Sequence, residues 1–129
     1  MSLSRTRLLG ALVAAQAAHS LEEYEGRLWE SFPPATFITA LVSRDREFGF
    51  LVLNVAIVAF GLWSVLWPVR RGWPGAYALA WFWVVLEAIN GIGHPVWALR
   101  QGEYVPGLVT APILLALSLL LAYHLRREA

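Results

Sequence analysis

The chain contains neither cysteine nor lysine. Without cysteine it can form no disulfide framework and no thiolate metal site. Charge of either sign is scarce, at 15% of 129 residues, where soluble domains average about 25%. The formal net charge of +1 excludes a strongly basic nucleic-acid binder, so no nucleic-acid partner is expected. Internal repeats and low-complexity tracts are also missing. What the chain has in excess is apolar surface: 58% of its residues are hydrophobic, against roughly 45–50% in ordinary domains. A soluble domain this small could not bury so much of it, but a lipid bilayer could. The length suits one domain, residues 1–129.

A membrane helix needs about 20 mostly apolar residues. Four stretches approach that length, at about 7–28, 48–69, 75–99 and 107–125. The second carries Asn54, the third Glu87, Asn90 and His94, and the fourth only Pro112 as an interruption. Turn-forming connectors, "RRGWPG" and "RQGEYVPG", separate the later spans. Between the first two, Pro33 and Pro34 break the first helix, and Phe37, Ile38, Leu41 and Val42 recur at helical spacing. The expected fold is therefore all-α: a four-helix transmembrane bundle with a short interfacial amphipathic helix between spans one and two. Arg5, Arg7, Arg70, Arg71, Arg126 and Arg127 fall on one side, and Arg27, Arg44, Arg46 and Arg100 on the other. The positive-inside rule then places both termini in the cytoplasm of a multi-pass cell-membrane protein. A rival reading takes the first twenty residues as a cleaved signal peptide, since arginines, an apolar run and an Ala-Gln-Ala site follow in order.

The stretch "AAHSLEEYEGRLW" (17–29) sets charge against that apolar background. His19, Glu22 and Glu23 share one helical face, and so do Glu87, Asn90 and His94 in the third span. Spans one and three run in the same direction. His19 lies twelve residues beyond Arg7, and Glu87 twelve beyond Gly75. At about 1.5 Å per residue both stand roughly 18 Å from the cytoplasmic edge. Two clusters at overlapping height should meet inside the bundle, because an acidic group near mid-span costs on the order of 2.5–3.5 kcal/mol. Asn54 reaches a similar level from the second span.

"HSLEE" (19–23), a later histidine at His94 and "YVPG" (104–107) resemble the signature of the HXXEE family of small membrane proteins. The resemblance spans most of the chain. It implies functional weight at His19, Glu22, Glu23, His94, Tyr104, Pro106 and Gly107, and brings no established reaction with it.

The side chains themselves suit several chemistries. In the first, His19, Glu23 and His94 hold a divalent zinc, iron or manganese ion with an open position for water. Glu22 or Glu87 is then the base, Tyr104 a hydrogen-bond donor above the site, and Asn54 and Asn90 its lining. The substrate is lipid-like or another hydrophobic small molecule. The second is metal-free acid–base isomerisation or cyclisation of an isoprenoid or sterol-like lipid, with Trp81, Phe82, Trp83 and Trp97 facing a carbocation. A third is a proton or cation conduit, which four helices would support only as an oligomer. The plain alternative is that His–Glu contacts merely lock the first and third helices together. Sequence leaves the oligomeric state open.

Overall fold

A computed structural model describes residues 1–128, and among these every regular element is helical. Helix α1 (Leu3–Glu25) begins where the Ser2 hydroxyl accepts from the Arg5 amide, a serine N-cap. Its last residue is Glu25, three residues before the expected boundary near 28, and Gly26 follows as the C-cap. The reason is steric: a Cβ at Gly26 would stand 2.5 Å from Pro106 Cγ, and Arg27 turns the chain with φ 53°. A short helix α2 (Leu28–Ser31) follows, and then α3 (Pro33–Val42). Pro33 and Pro34 thus open α3 and do not break α1. At a helix start their missing N–H leaves no bond unmade.

Helix α4 (Arg46–Ser64) starts on the Asp45 carboxylate, which accepts from the Phe48 amide at 3.2 Å. It runs into a π-helical turn, Val65–Val69, that carries Pro68. The wider turn accommodates a ring that has no N–H to give. Helix α5 (Ala76–Gln101) closes on Gly102 at φ 70°, and α6 (Ala111–Arg127) completes the bundle. Two helical lengths are long and apolar enough to cross a membrane: Arg46–Val69 and Ala76–Gln101. Helix α6 is shorter, at 17 residues, and α1 carries Arg5, Arg7, Glu22, Glu23 and Glu25 within its length.

The core forms where α1, α5 and α6 meet, around Leu9, Leu12, Ala80, Trp83, Leu114 and Leu121. Helix α6 packs along both α5 and α1, while α1 and α5 touch each other over less of their length. Gly91 lets α5 and α6 approach closely, since a Cβ there would stand 2.6 Å from Leu115 Cβ. At one end, Ser2 Oγ donates to Glu128 Oε2 at 2.8 Å and Arg5 pairs with the same carboxylate. The segments nearest the two termini therefore lie together. Helix α3 turns Thr39 inward against Gly49 and leaves Phe37, Ile38, Leu41 and Val42 exposed. A second exposed apolar row, Val85, Ile89, Ile92, Val96 and Leu99, runs along the C-terminal part of α5.

Candidate metal centre

His19 and Glu23 are one turn apart on α1, so both side chains leave the same face. His94 reaches them from α5. Its ring meets that of His19 edge to face, with centroids 4.6 Å apart. The Glu23 carboxylate spans the Nε2 atoms of the two rings. Its Oε1 is 3.5 Å from His19 Nε2, and its Oε2 is 3.5 Å from His94 Nε2. All three residues are buried, and one ligand atom from each falls within 4.8 Å of the others. This group could hold a metal ion.

The "YVPG" segment makes room for it. Gly107 has φ 94°, a conformation that side chains disfavour. A Cβ there would stand 2.5 Å from His94 Cε1 and 2.7 Å from His19 Cε1. The backbone thus lies directly on both imidazoles. The Pro106 carbonyl stands beside His94 Nδ1, outside hydrogen-bond geometry.

Glu22 points elsewhere, to the N-terminus of α6. Its Oε1 accepts from the Thr110 amide at 2.9 Å and the Thr110 hydroxyl at 2.7 Å. Its Oε2 accepts from the Val109 amide at 3.1 Å and the Tyr104 hydroxyl at 2.6 Å. Backbone N–H groups and the helix dipole make such a place a natural carboxylate site. Desolvation and the bond to Glu22 push the Tyr104 hydroxyl up to about 12, so it remains a donor at neutral pH.

Those bonds fix the state of His19. The Thr110 hydroxyl has one proton, and Glu22 takes it. Thr110 Oγ1 must therefore accept from His19 Nδ1, which is 2.7 Å away. With the proton on Nδ1, the Nε2 lone pair faces Glu23. That nitrogen is fully buried and has no hydrogen-bond partner. Two acceptors facing each other across 3.5 Å can be bridged by a proton on Glu23 or by a metal ion.

The other expected site residues lie around this centre. Glu87 is fully buried, accepts from Asn90 Nδ2 at 3.3 Å and adjoins Gln16. Asn54 accepts from Ser20 Oγ at 2.7 Å and takes its place beside α1 through that serine. Of the four aromatics, Trp97 is close to His94, with ring centroids 6.3 Å apart. Trp83 donates to Ser64 Oγ in the core, and Phe82 is exposed. Sequence reading passed over Thr110, Gln16 and Ser20. Thr110-Ala111-Pro112 has the pattern of a helix start, but its hydroxyl caps nothing and binds Glu22 and His19. Gln16 was a readable signal, a polar side chain in an otherwise apolar run one turn before Ser20.

A cavity of about 140 Å³ opens beside the centre, lined by Phe32, Ile89, Asn90, Gly93, His94 and Trp97. Phe32, Ile89, Gly93 and Trp97 make its non-polar walls, and the two polar ones, Asn90 and His94, are expected site residues. A family model described as "Protein of unknown function with HXXEE motif" matches residues 11–121, and the chain belongs to that family. The matched region contains the triad, Glu22, Gly107 and Thr110. No curated protein and no solved structure matches the chain.

Proposed function

We propose that this HXXEE protein is a four-span membrane enzyme in which His19, Glu23 and His94 hold a divalent ion that acts on a hydrophobic substrate. The observation that carries the reading is the His19 Nε2 lone pair, buried without a partner and aimed at a carboxylate. Donor spacing supports it. Tetrahedral bonds of about 2.0–2.2 Å put neighbouring donors roughly 3.3–3.6 Å apart; each imidazole has a Glu23 oxygen at 3.5 Å, Oε1 for His19 and Oε2 for His94, and one ligand atom from each residue lies within 4.8 Å of the others. Two nitrogens and one oxygen suit zinc, iron or manganese.

When bound, such an ion supplies Lewis-acid polarisation of a water or substrate oxygen. The residues divide the remaining work. Glu22 accepts four hydrogen bonds and is a positioning residue: through Thr110 it sets the His19 tautomer, as carboxylate partners of ligating histidines do. Tyr104 stabilises that carboxylate. With one Glu23 oxygen on an ion, the other would be available as a proton acceptor beside it. A hydrophobic substrate approaches through the cleft of Phe32, Ile89 and Trp97, with Asn90 as a polar contact. At about 140 Å³ this is the mouth of a site and not a full ligand pocket, which takes about 300–1,000 Å³.

The bilayer is the partner that covers the exposed apolar rows of α4, α5 and α6, which are larger than a soluble monomer leaves bare. Helix α1 and α6, extended by the turn before it, complete four crossings. The arginine bias puts the joined terminal segments on the cytoplasmic side.

The test is elemental analysis of detergent-purified protein, wild type beside His19→Ala and Thr110→Val. The expected result is a stoichiometric transition metal in the wild type and none in His19→Ala. In Thr110→Val, affinity measured by competition with a chelator falls about 10–100-fold. A folded wild type that takes up no zinc, iron or manganese on reconstitution refutes the proposal and leaves the triad as a proton-sharing cluster.

A further inference from the structure

A second polar assembly crosses the bundle beside the triad, and its hydrogen bonds have a direction. It starts at the Phe50 carbonyl on α4, which can only accept. Asn54 Nδ2 donates to it at 3.0 Å, so Asn54 Oδ1 faces Ser20. Ser20 Oγ donates its one proton to that oxygen at 2.7 Å. Ser20 Oγ must then accept from its other neighbour, the Gln16 amide, which donates through Nε2 at 2.9 Å. The oxygen of Gln16 is left facing Glu87, 2.7 Å from Oε1 and 2.9 Å from Oε2. Asn90 Nδ2 already donates to Oε2. The contact between Gln16 and Glu87 closes only if a proton sits on Glu87 Oε1.

The opposite arrangement fails at one atom. Were Glu87 ionised, Gln16 would have to turn its NH₂ to the carboxylate and present its oxygen to Ser20, again at 2.9 Å. Ser20 would then face two acceptors, Gln16 and Asn54, with one proton. One short oxygen–oxygen contact would stay unbridged, inside a protein where an unmade bond costs about 1–3 kcal/mol.

We infer that Glu87 is a neutral carboxylic acid in the folded protein, a positioning residue whose proton sets the direction of a strut running from α5 through Gln16 and Ser20 of α1 to Asn54 of α4. The strut stands on hydrogen-bond geometry alone and needs no ion at the triad. It removes Glu87 from the candidate bases and makes it a donor. It also forms part of the inner wall of a groove of about 580 Å³ between α1 and α4, where Ser20 and Asn54 interrupt Val55, Val58, Ala59 and Leu62. The proton on Glu87 thus fixes which hydrogen-bonding groups that groove presents.

Infrared difference spectroscopy of the purified protein at neutral pH reads the proposal directly. The wild type should show the C=O stretch of a protonated carboxylic acid, sensitive to H/D exchange, and Glu87→Gln should lose it. Because Gln donates an N–H where the acid donates its O–H, Glu87→Gln should keep its helix content and melting temperature. Ser20→Ala leaves Glu87 in place and should shift the band, since it changes the group that polarises Gln16. That second variant serves even if Glu87→Gln does not fold. A wild type without the band, or a band that neither variant alters, overturns the inference.

Discussion

At the scale of single residues, Gly107 bears the tightest constraint in the site. Its backbone lies against both imidazoles, and its φ of 94° disfavours any side chain. Gly107→Ala should combine backbone strain with overpacking and cost about 2–4 kcal/mol, seen as a lowered melting temperature and weakened metal uptake. The motif "YVPG" reads as a turn from sequence, and it is one. That the turn caps a histidine pair is not legible, because the contact joins residues 107, 94 and 19, which no local pattern connects. The triad itself was legible for a physical reason. Charged groups in an apolar run must find one another, and counting residues from the span ends put His19 near the level of the third helix's cluster. The reading that set Glu23 with the two histidines and Glu22 apart from them has its physical basis in the helix. The two glutamates are neighbours in sequence, yet about 100° of helix rotation sends Glu22 to the N-terminus of α6 and Glu23 to the histidines.

At the scale of elements, the helices follow from apolar length, and their ends follow from contacts that sequence does not display. Gly26 ends α1 beneath Pro106, and the paired prolines start α3 where a break had been expected. The short amphipathic helix expected within residues 30–47 appears as α3, with Phe37 and Leu41 outward. The α5–α6 seam depends on Gly91, set beside Leu115. Gly91→Ala should force those helices apart at a cost of about 1–3 kcal/mol. Because His94 stands one turn further along α5, the same substitution should loosen the triad. Thermal unfolding in detergent, read beside metal content, checks both effects.

At the scale of the whole molecule, the natural lack of cysteine makes topology directly testable. With four crossings, Ser4→Cys and Trp73→Cys should react with an impermeant thiol reagent from one face of the membrane, and Gln101→Cys from the other. Equal access for all three from one side would refute the arrangement. The Thr110–His19 hydrogen bond links residues 91 positions apart, and this separation orders events during synthesis. His19 leaves the ribosome with the first helix, whereas the group that selects its tautomer arrives with the last. Until residues 104–110 have been made, a nascent chain holds two histidines and a glutamate with no turn covering them and no hydroxyl at His19 Nδ1. The finished geometry of the triad is therefore a late property of the chain, and a nascent chain stalled before residue 110 lacks the hydrogen bond that completes it.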